Sequence, residues 1–324
     1  MRSARILKVV LVFAAVLVAG GLALSIIPFF TPRPVPSVLF DKTRAVFYTS
    51  LLDLFRNSII TLPFWGALVL TLTLQWWVPA RPEQKLFNAG FAHDIVWFFY
   101  EAVLQTVVIV TYVALLTRVY GKYFSAFTLT SLADWPGWLR FVIALLAGDF
   151  LYWCQHVCNH KIRPLWRLHA VHHSQPELNF FTDFRYHVLE YVVRQTFLAI
   201  PFLIVQINVP TIVLAGILLR WYPRIYHGNI RTNLGPLRYI LVTPQSHRIH
   251  HSIEHAHADK NFGAIFSIWD FAFGTQFRNY SVYPQTGIVD ANFPHPRPRD
   301  LGAWLLSPLH QMVYSFRGGS GPRR

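Results

Sequence analysis

The stretches His169-Ala-Val-His172-His173 and His247-Arg-Ile-His250-His251 carry the same pattern of histidines. Each places imidazoles at positions i, i+3 and i+4, which share one face of an α-helix. A third stretch adds His156 and His160, again with helical spacing. Imidazole binds Fe, Zn, Cu and Ni well. Because eight such donors are more than one ion can use, the three stretches predict a helical site for two metal ions.

The composition predicts that this site belongs to an integral membrane protein. Of the 324 residues, 53% are hydrophobic and 14% are charged, and the mean hydropathy is +0.35. The net charge is +14, but much of the Lys and Arg flanks apolar segments, where it sets topology. No basic run is interleaved with aromatics, which argues against a nucleic-acid partner. Cys154 and Cys158 are too few for a disulfide framework and are interpreted as small buried residues, a thiolate ligand being the alternative.

Apolar segments predict an all-α membrane protein with four regions. We expect an N-terminal anchor helix and amphipathic connection in 1–58 and transmembrane helices in 59–147. The region 148–280 would hold the histidines and a membrane hairpin at 191–222, which is broken by Asn208-Val-Pro210. Each half of that hairpin is short for a span, so re-entry or an interfacial position is favoured over two tilted spans. The region 281–324 would be an extension with a disordered tail from Arg317.

Four transmembrane helices are expected before the first histidine pair. They lie at Val9–Phe30, Ile59–Val78, Ile95–Leu116 and about Trp138–Cys154, the first read as an uncleaved anchor rather than a signal peptide. With the N-terminus inside, four spans return the chain to the inner face. The metal site is therefore expected in a helical cap on the cytoplasmic side, and a bacterial inner membrane is favoured.

Further candidates lie around the eight histidines. His227 is predicted to be a ninth metal ligand, and His187 is a possible ligand or a residue that supports one. Asp149 precedes the first pair, where a carboxylate could orient an imidazole or simply face the bundle interior. The remaining histidines are interpreted as supporting or structural residues: His255 and His257 beside Asp259, and the isolated His93, His295 and His310.

These stretches resemble the fatty acid hydroxylase superfamily, which includes sterol desaturases and sphingolipid hydroxylases. His156-x-x-x-His160 and His169-Ala-Val-His172-His173-Ser174 are similar to its first two histidine boxes. Thr243-Pro-Gln-Ser-His247-Arg-Ile-His250-His251-Ser252 is similar to its last box. Asp259-Lys-Asn-Phe-Gly263 and Trp269-Asp270-Phe-Ala-Phe-Gly274-Thr275 resemble its closing elements, and the likeness covers roughly Gly148 to Gln276.

One segment departs from that family pattern. Asn179-Phe-Phe-Thr-Asp-Phe-Arg185-Tyr-His187 resembles the part that the family writes as Arg-Phe-His-Pro-x-Glu. Val188 stands in place of the proline, whereas Glu190 keeps the acidic position.

The resemblance implies a membrane-embedded non-haem site, usually of two Fe ions, that activates O2 to hydroxylate or desaturate a lipid. Zn remains compatible with the ligand type alone. The eight box histidines would hold the metals, and His227 or His187 would complete the set. A further group would support or pack around the site rather than bind metal: Asn179, Arg185, Asp259, Asn261, Trp269 and Asp270.

The expected partners are a membrane lipid and a separate electron donor. The chain has no haem, flavin, NAD or iron–sulfur motif, so the resemblance implies a ferredoxin or cytochrome b5 type of donor with its reductase. Hydroxylation is favoured over desaturation, and sterol, acyl, ether, sphingoid and aminolipid substrates all stay open. The boxes look closer to sterol desaturases and alkylglycerol monooxygenases than to acyl-CoA desaturases. Oligomeric state is not predicted.

Three other classes of protein fit the sequence less well than a lipid hydroxylase. A zinc-dependent membrane hydrolase would need a Glu or Asp base, and the histidine boxes contain none. A metal transporter or sensor would place its ligands within several spans, whereas these ligands follow the fourth span. An inactive relative of the enzymes would not need all eight histidines.

Overall fold

The computed structural model describes residues 62–129, 135–205, 221–290, 292–295 and 301–316. The predicted anchor, the tail from Arg317 and the centre of the predicted hairpin lie outside the described residues. Within them the backbone is mostly helical, and β-structure is limited to isolated bridges such as Leu241 with Phe266. The expectation of an all-α chain is thereby confirmed for the part that the structure describes.

The helices follow the apolar segments and the histidine boxes. In chain order they are α1 Leu62–Trp77, α2 Ala89–Tyr123, α3 Gly137–Lys161, α4 Arg163–His173, α5 Val188–Val205, α6 Pro244–His250, α7 Ile268–Ala272 and α8 Leu301–Tyr314. Residues 221–226 are also helical. Short 3₁₀ turns cover Ser125–Phe127, Phe180–Phe184, Gly235–Tyr239 and His255–His257.

Helix α3 is the membrane-span candidate of the described chain. Among those residues, it is the one helix whose length and composition suit a crossing. It contains the predicted span Trp138–Cys154 and continues without a break through His156 and His160. The first two candidate ligands therefore extend the same helix that is apolar enough to enter a bilayer.

Local sequence explains where the histidine helices begin and end. Pro164 lies in the first turn of α4. If α3 continued, this proline could not donate a backbone hydrogen bond to the His160 carbonyl, and its ring would clash with that carbonyl. The chain therefore bends at Ile162, which is extended, and the two helices are joined at an angle. Helix α6 begins at a capping box, in which the Thr243 side chain accepts from Ser246 N and the Ser246 side chain accepts from Thr243 N.

Two types of packing hold the helices around the histidines. Helices α3, α4 and α5 contact one another, and α2 packs on α5 and on the turn Phe180–Phe184. Aromatic side chains fill the space between α1, α2 and this turn, with Phe98 and Phe184 meeting edge to face at 4.8 Å between ring centres. Large rings bury much apolar area for few rotatable bonds, so this layer fixes the helix positions firmly.

A buried polar network ties α2 to the segment after α4. Asp94, fully buried in α2, accepts from Arg185 Nε at 2.5 Å, Asn179 Nδ2 at 2.8 Å and Thr182 Oγ1 at 2.9 Å. Arg185 also donates to Ser174 Oγ at 2.5 Å. Because a buried charge is tolerated only when it is paired and hydrogen-bonded, this network fixes the chain just after the second histidine box.

Candidate metal centre

Nine buried histidines meet in two adjacent clusters. In each cluster the candidate ligand atoms all lie within 4.8 Å of one another. The first cluster is His156, His160, His169, His173 and His250, and the second cluster is His172, His227, His247 and His251. The rings of His173 and His251 stack at 4.3 Å between centres, so the two clusters share a wall. The structure thus brings all eight box histidines and His227 together.

In the first cluster two histidines donate a hydrogen bond through the ring nitrogen that faces away from the cluster. This sets the protonation of the ring nitrogen that faces inward. His156 Nδ1 donates to the Phe262 carbonyl at 2.9 Å, and His169 Nδ1 donates to Glu190 Oε1 at 2.6 Å. In a neutral imidazole the other nitrogen is then a lone pair. His156 Nε2 and His169 Nε2 nevertheless lie 3.0 Å apart. Two lone pairs therefore point at the same small space.

The second cluster repeats this arrangement around His227. Its Nδ1 donates to the Pro223 carbonyl at 2.7 Å, which leaves Nε2 as a lone pair. That Nε2 is 2.8 Å from His247 Nε2 and 3.3 Å from His172 Nε2. His251 Nε2 is 3.0 Å from His247 Nε2. Among the described residues, Nδ1 of His172, His247 and His251 has no hydrogen-bond partner, so their tautomer depends on what their Nε2 binds.

Facing lone pairs repel unless a cation lies between them. Imidazoles around one ion bind at about 2.0–2.1 Å, which brings neighbouring ligand nitrogens to roughly 3.0–3.4 Å. The observed Nε2 separations of 2.8 to 3.3 Å match that spacing. The residues of both clusters therefore fit a bound metal ion each, with nitrogen donors that suit Fe or Zn.

The two boxes with three histidines each supply both clusters, whereas His156 and His160 both enter the first cluster. In α4 the i and i+4 histidines enter the first cluster, whereas the i+3 residue, His172, enters the second. The last box reverses this assignment, because only its i+3 residue, His250, enters the first cluster. The first cluster thus receives two i, i+4 pairs and one single residue. The second cluster receives one such pair, His172 and His227, and so has one donor fewer.

The clusters are electrostatically suited to a cation. Burial, followed by neighbouring imidazoles, lowers the pKa well below 6.5 for four of the histidines outside α3: His172, His173, His247 and His251. Burial also lowers the pKa of His227, although the Asp183 carboxylate opposes this shift. The imidazoles are therefore neutral near pH 7 and their nitrogens can bind metal without first losing a proton.

A loop after α6 supports the first cluster through its backbone. Asp270 accepts from the N–H groups of Phe262 at 2.8 Å and Gly263 at 2.9 Å, which aims the Phe262 carbonyl at His156. Asp149 accepts from Ile265 N at 2.8 Å and binds two further groups of the same loop. Backbone N–H groups of this loop bind both oxygens of Asp149, and its hydrogen-bond partners among the described residues include no imidazole.

The other candidate residues occupy different positions. Glu190 contacts a cluster directly, through His169. His187 lies outside both clusters, with Nε2 donating to the Met312 carbonyl at 3.2 Å. Asp259 binds Lys161 at 2.6 Å, with its other oxygen 3.9 Å from His160 Nδ1.

Four remaining candidates do not touch the clusters through the contacts described. Asn179 and Arg185 belong to the Asp94 network, and Asn261 Nδ2 donates to the Ser246 carbonyl at 2.8 Å. His255 is exposed on a 3₁₀ turn.

Several supporting groups were not identified from the sequence. Asp94 is the clearest, and an acidic residue in an apolar helix was itself a usable signal. Asp183 Oδ1 lies 3.8 Å from His227 Nδ1. Tyr186 stacks on His172 with 5.1 Å between ring centres and an interplanar angle of 17°. The backbone carbonyls that receive the Nδ1 protons have no sequence signature, because any residue has a carbonyl.

Comparison with known proteins gives one consistent family. Residues 141–275 match the family model described as fatty acid hydroxylase. Ornithine lipid hydroxylase OlsE of Rhizobium tropici is 30% identical over 142 residues, which is 44% of this chain and 43% of that protein. Alkylglycerol monooxygenase of Homo sapiens is 28% identical over 218 residues, 65% of this chain and 46% of that protein. The Caenorhabditis elegans alkylglycerol monooxygenase is 30% identical over 160 residues, 48% of this chain and 30% of that protein.

The chain spans less than half the length of these curated relatives. No solved structure is significantly similar to it. All nine clustered histidines lie inside the range matched by the family model. The region 141–275 is therefore similar to the fatty acid hydroxylase family.

Proposed function

We propose that this chain is a membrane-bound non-haem di-iron oxygenase that hydroxylates a lipid, using O2 and electrons from a separate protein. The observation that carries the proposal is the pair of buried all-histidine clusters with lone pairs facing one another. The names of the similar proteins, an ornithine lipid hydroxylase and alkylglycerol monooxygenases, support the reaction class. The shared chemistry of those names is oxygen insertion into a lipid.

His156, His160, His169, His173 and His250 would hold one ion. The second ion would be held by His172, His227, His247 and His251. When bound, the metal pair would supply the activation of O2 that an unactivated C–H bond requires. Iron is proposed from the family, and zinc would satisfy the same nitrogen donors.

The chain itself would orient the ligands and keep water away. Glu190 and the Phe262 and Pro223 carbonyls hold three imidazoles by their Nδ1–H groups, which turns each Nε2 inward. Outer hydrogen bonds of this kind fix the ring and raise its basicity. All nine histidines are less than 9% exposed, so bulk water has little access to the centre.

Hydroxylation is proposed ahead of desaturation, which would use the same residues and needs a second C–H bond placed as exactly as the first. A zinc hydrolase would need a carboxylate base at an open ligand position. Both clusters consist of histidine alone among the described residues, and the nearby Glu190 is engaged with His169. That composition favours the oxygenase.

The membrane arrangement belongs to the same proposal. The region 59–147 would be transmembrane, 148–280 would carry the metal centre on the cytoplasmic side, and α3 would link the two. Four spans in all and a bacterial inner membrane are proposed, and the electron donor would be of the ferredoxin or cytochrome b5 type. An apolar substrate would then reach the clusters from the bilayer along the helices.

Metal content tests this proposal directly. Elemental mass spectrometry of the detergent-purified chain should find two Fe per chain. His172→Ala and His250→Ala, one from each cluster, should both lose metal, whereas exposed His255→Ala should keep it. A lipid extract of expressing cells should then contain a product heavier by one oxygen atom.

The opposite results are equally definite. A folded protein without bound metal would refute the metal centre. Two Zn with no oxygenated lipid after iron loading would refute the oxygenase and favour hydrolysis or a structural site.

A further inference from the structure

Arg194 is the cation of helix α5, which is mostly apolar and lies beside the metal centre. Its Nε is enclosed and has no hydrogen-bond partner among the described residues. No carboxylate of those residues lies within ion-pair distance of it. Arg194 is half-buried, and shielding part of a charge from water without an ion pair costs free energy. An ionisable side chain in an apolar helix therefore suggests a ligand that neutralises it.

Two tyrosine rings place this cation against both clusters. The Arg194 guanidinium carbon is 5.0 Å from the Tyr186 ring centre and 5.3 Å from the Tyr152 ring centre. Tyr186 stacks on His172 of the second cluster, and Tyr152 meets His156 of the first edge-on at 5.6 Å. A single aromatic ring thus separates the guanidinium from a candidate ligand of each metal.

The acidic groups around Arg194 have other partners. The negative charge of Asp183 acts on Arg194 through space, but the Asp183 carboxylate lies 3.6 Å from Arg224 Nε. Glu190 lies one turn before Arg194, and it accepts from His169 instead of pairing with the arginine. Burial raises the pKa of Tyr186 well above its ordinary value, so this phenol is neutral and supplies no counter-charge. Arg194 therefore interacts with Asp183 through space but has no direct ion pair among the described residues, and its guanidinium can still bind an anion.

We propose that Arg194 binds an anionic oxygen, of a phosphate or a carboxylate, in the polar head of the lipid substrate, between the rings of Tyr152 and Tyr186. A guanidinium offers paired N–H donors that match both anions. The inference rests on the proposed function, since it concerns the substrate of the same site. It also limits which carbon reacts, because a head anchored one ring away from His172 brings the carbons nearest the head to the metals.

Binding of simple amphiphiles to the full-length chain tests the inference without turnover. The metal-loaded protein in maltoside detergent is titrated with dodecyl phosphate, dodecanoate and dodecyltrimethylammonium, and bound ligand is counted by native mass spectrometry. We expect one anionic amphiphile to bind, and Arg194→Gln to weaken it by about tenfold or more. Arg194→Lys should weaken it less, and Arg118→Gln, an exposed arginine on α2, should not weaken it.

The outcomes separate this inference from the function on which it rests. Metal is measured in the same preparations, and loss of metal in the wild-type protein would count against the proposed function. Bound metal together with equal affinity of wild type, Arg194→Gln and Arg194→Lys for the anions would overturn the role of Arg194. If Arg194→Gln does not fold, the comparison of Arg194→Lys with wild type decides. The preferred amphiphile identifies the head as phosphate or carboxylate.

Discussion

Replacing Glu190 by glutamine probes how strongly the residues behind the histidines support the metal centre. Glu190 is 3% exposed, and its Oε1 accepts from both His169 Nδ1 at 2.6 Å and Asn159 Nδ2 at 3.1 Å. The glutamine oxygen must keep that place, because the amide NH2 would face two donors. The variant therefore retains both hydrogen bonds but loses the negative charge that raises the basicity of His169.

The expected loss can be stated in two parts. Mutation of an outer partner of a ligand histidine weakens metal binding by about 10–100-fold, which is roughly 1.4–2.7 kcal/mol. The new NH2 takes the position of Oε2, which has no hydrogen-bond partner among the described residues. Burying that unsatisfied donor should lower the free energy of unfolding by about 1–3 kcal/mol.

A chelator titration measures the first part. Purified Glu190→Gln should release half of its metal at a chelator concentration about 10–100 times lower than the wild-type protein. Glu254→Gln is the matched control, since Glu254 has a 54% exposed side chain and lies 3.8 Å from a histidine outside the clusters. Identical release curves for Glu190→Gln and wild type, with both proteins folded by circular dichroism, would refute the reasoning.

Three further predictions concern stability. Asp94→Asn should lower the free energy of unfolding by about 3–5 kcal/mol in denaturant titrations, because Arg185 is left as an uncompensated buried charge; a loss below 1 kcal/mol would contradict this. Burial lowers the pKa of His251 in the folded chain, so the unfolded state takes up more protons. The metal-free protein should therefore lose stability as pH falls below about 6.5, and a melting temperature independent of pH between 7 and 5 would disprove it. Gly263→Ala should cost about 1–3 kcal/mol because its Cβ would lie 2.6 Å from a carbonyl oxygen, whereas Gly148→Ala, with nothing within 4 Å, should be neutral or stabilising. Equal melting temperatures for these two glycine variants would contradict the prediction and show that the loop around Gly263 shifts to accommodate the added methyl group.

The sequence was sufficient where the chemistry is local. The i, i+3, i+4 spacing depends only on helix geometry, so the boxes could be placed on helices and assigned a shared face. For single histidines the sequence is less informative: it favours His227 as a ligand and leaves His187 as a possible one, because the partners of each are distant in the chain. In the structure His227 meets His247, whereas His187 turns towards the last helix and its Met312 carbonyl.

The supporting shell was less accessible to prediction because it depends on loop geometry. Asp149 lies on the histidine face of α3. The loop at residues 265–266 nevertheless lies over Asp149, and the backbone N–H groups of Ile265 and Phe266 donate to its two oxygens. The likeness to known boxes was confirmed by the family model, which covers residues 141–275. The flanking segments allowed fewer predictions, because an apolar composition predicts a helix but not which helices it packs against.

Because neighbouring histidines of one helix serve different clusters, helix geometry sets the distance between the two clusters. His172 and His173 are consecutive residues that serve different clusters, as are His250 and His251. Successive residues of a helix differ by a 1.5 Å rise and about a 100° rotation. The separation of the two clusters is therefore set within one turn of α4 and again at the end of α6. Small movements of the helices relative to one another can tilt the two clusters. A larger distance between the clusters would require a helix to unwind.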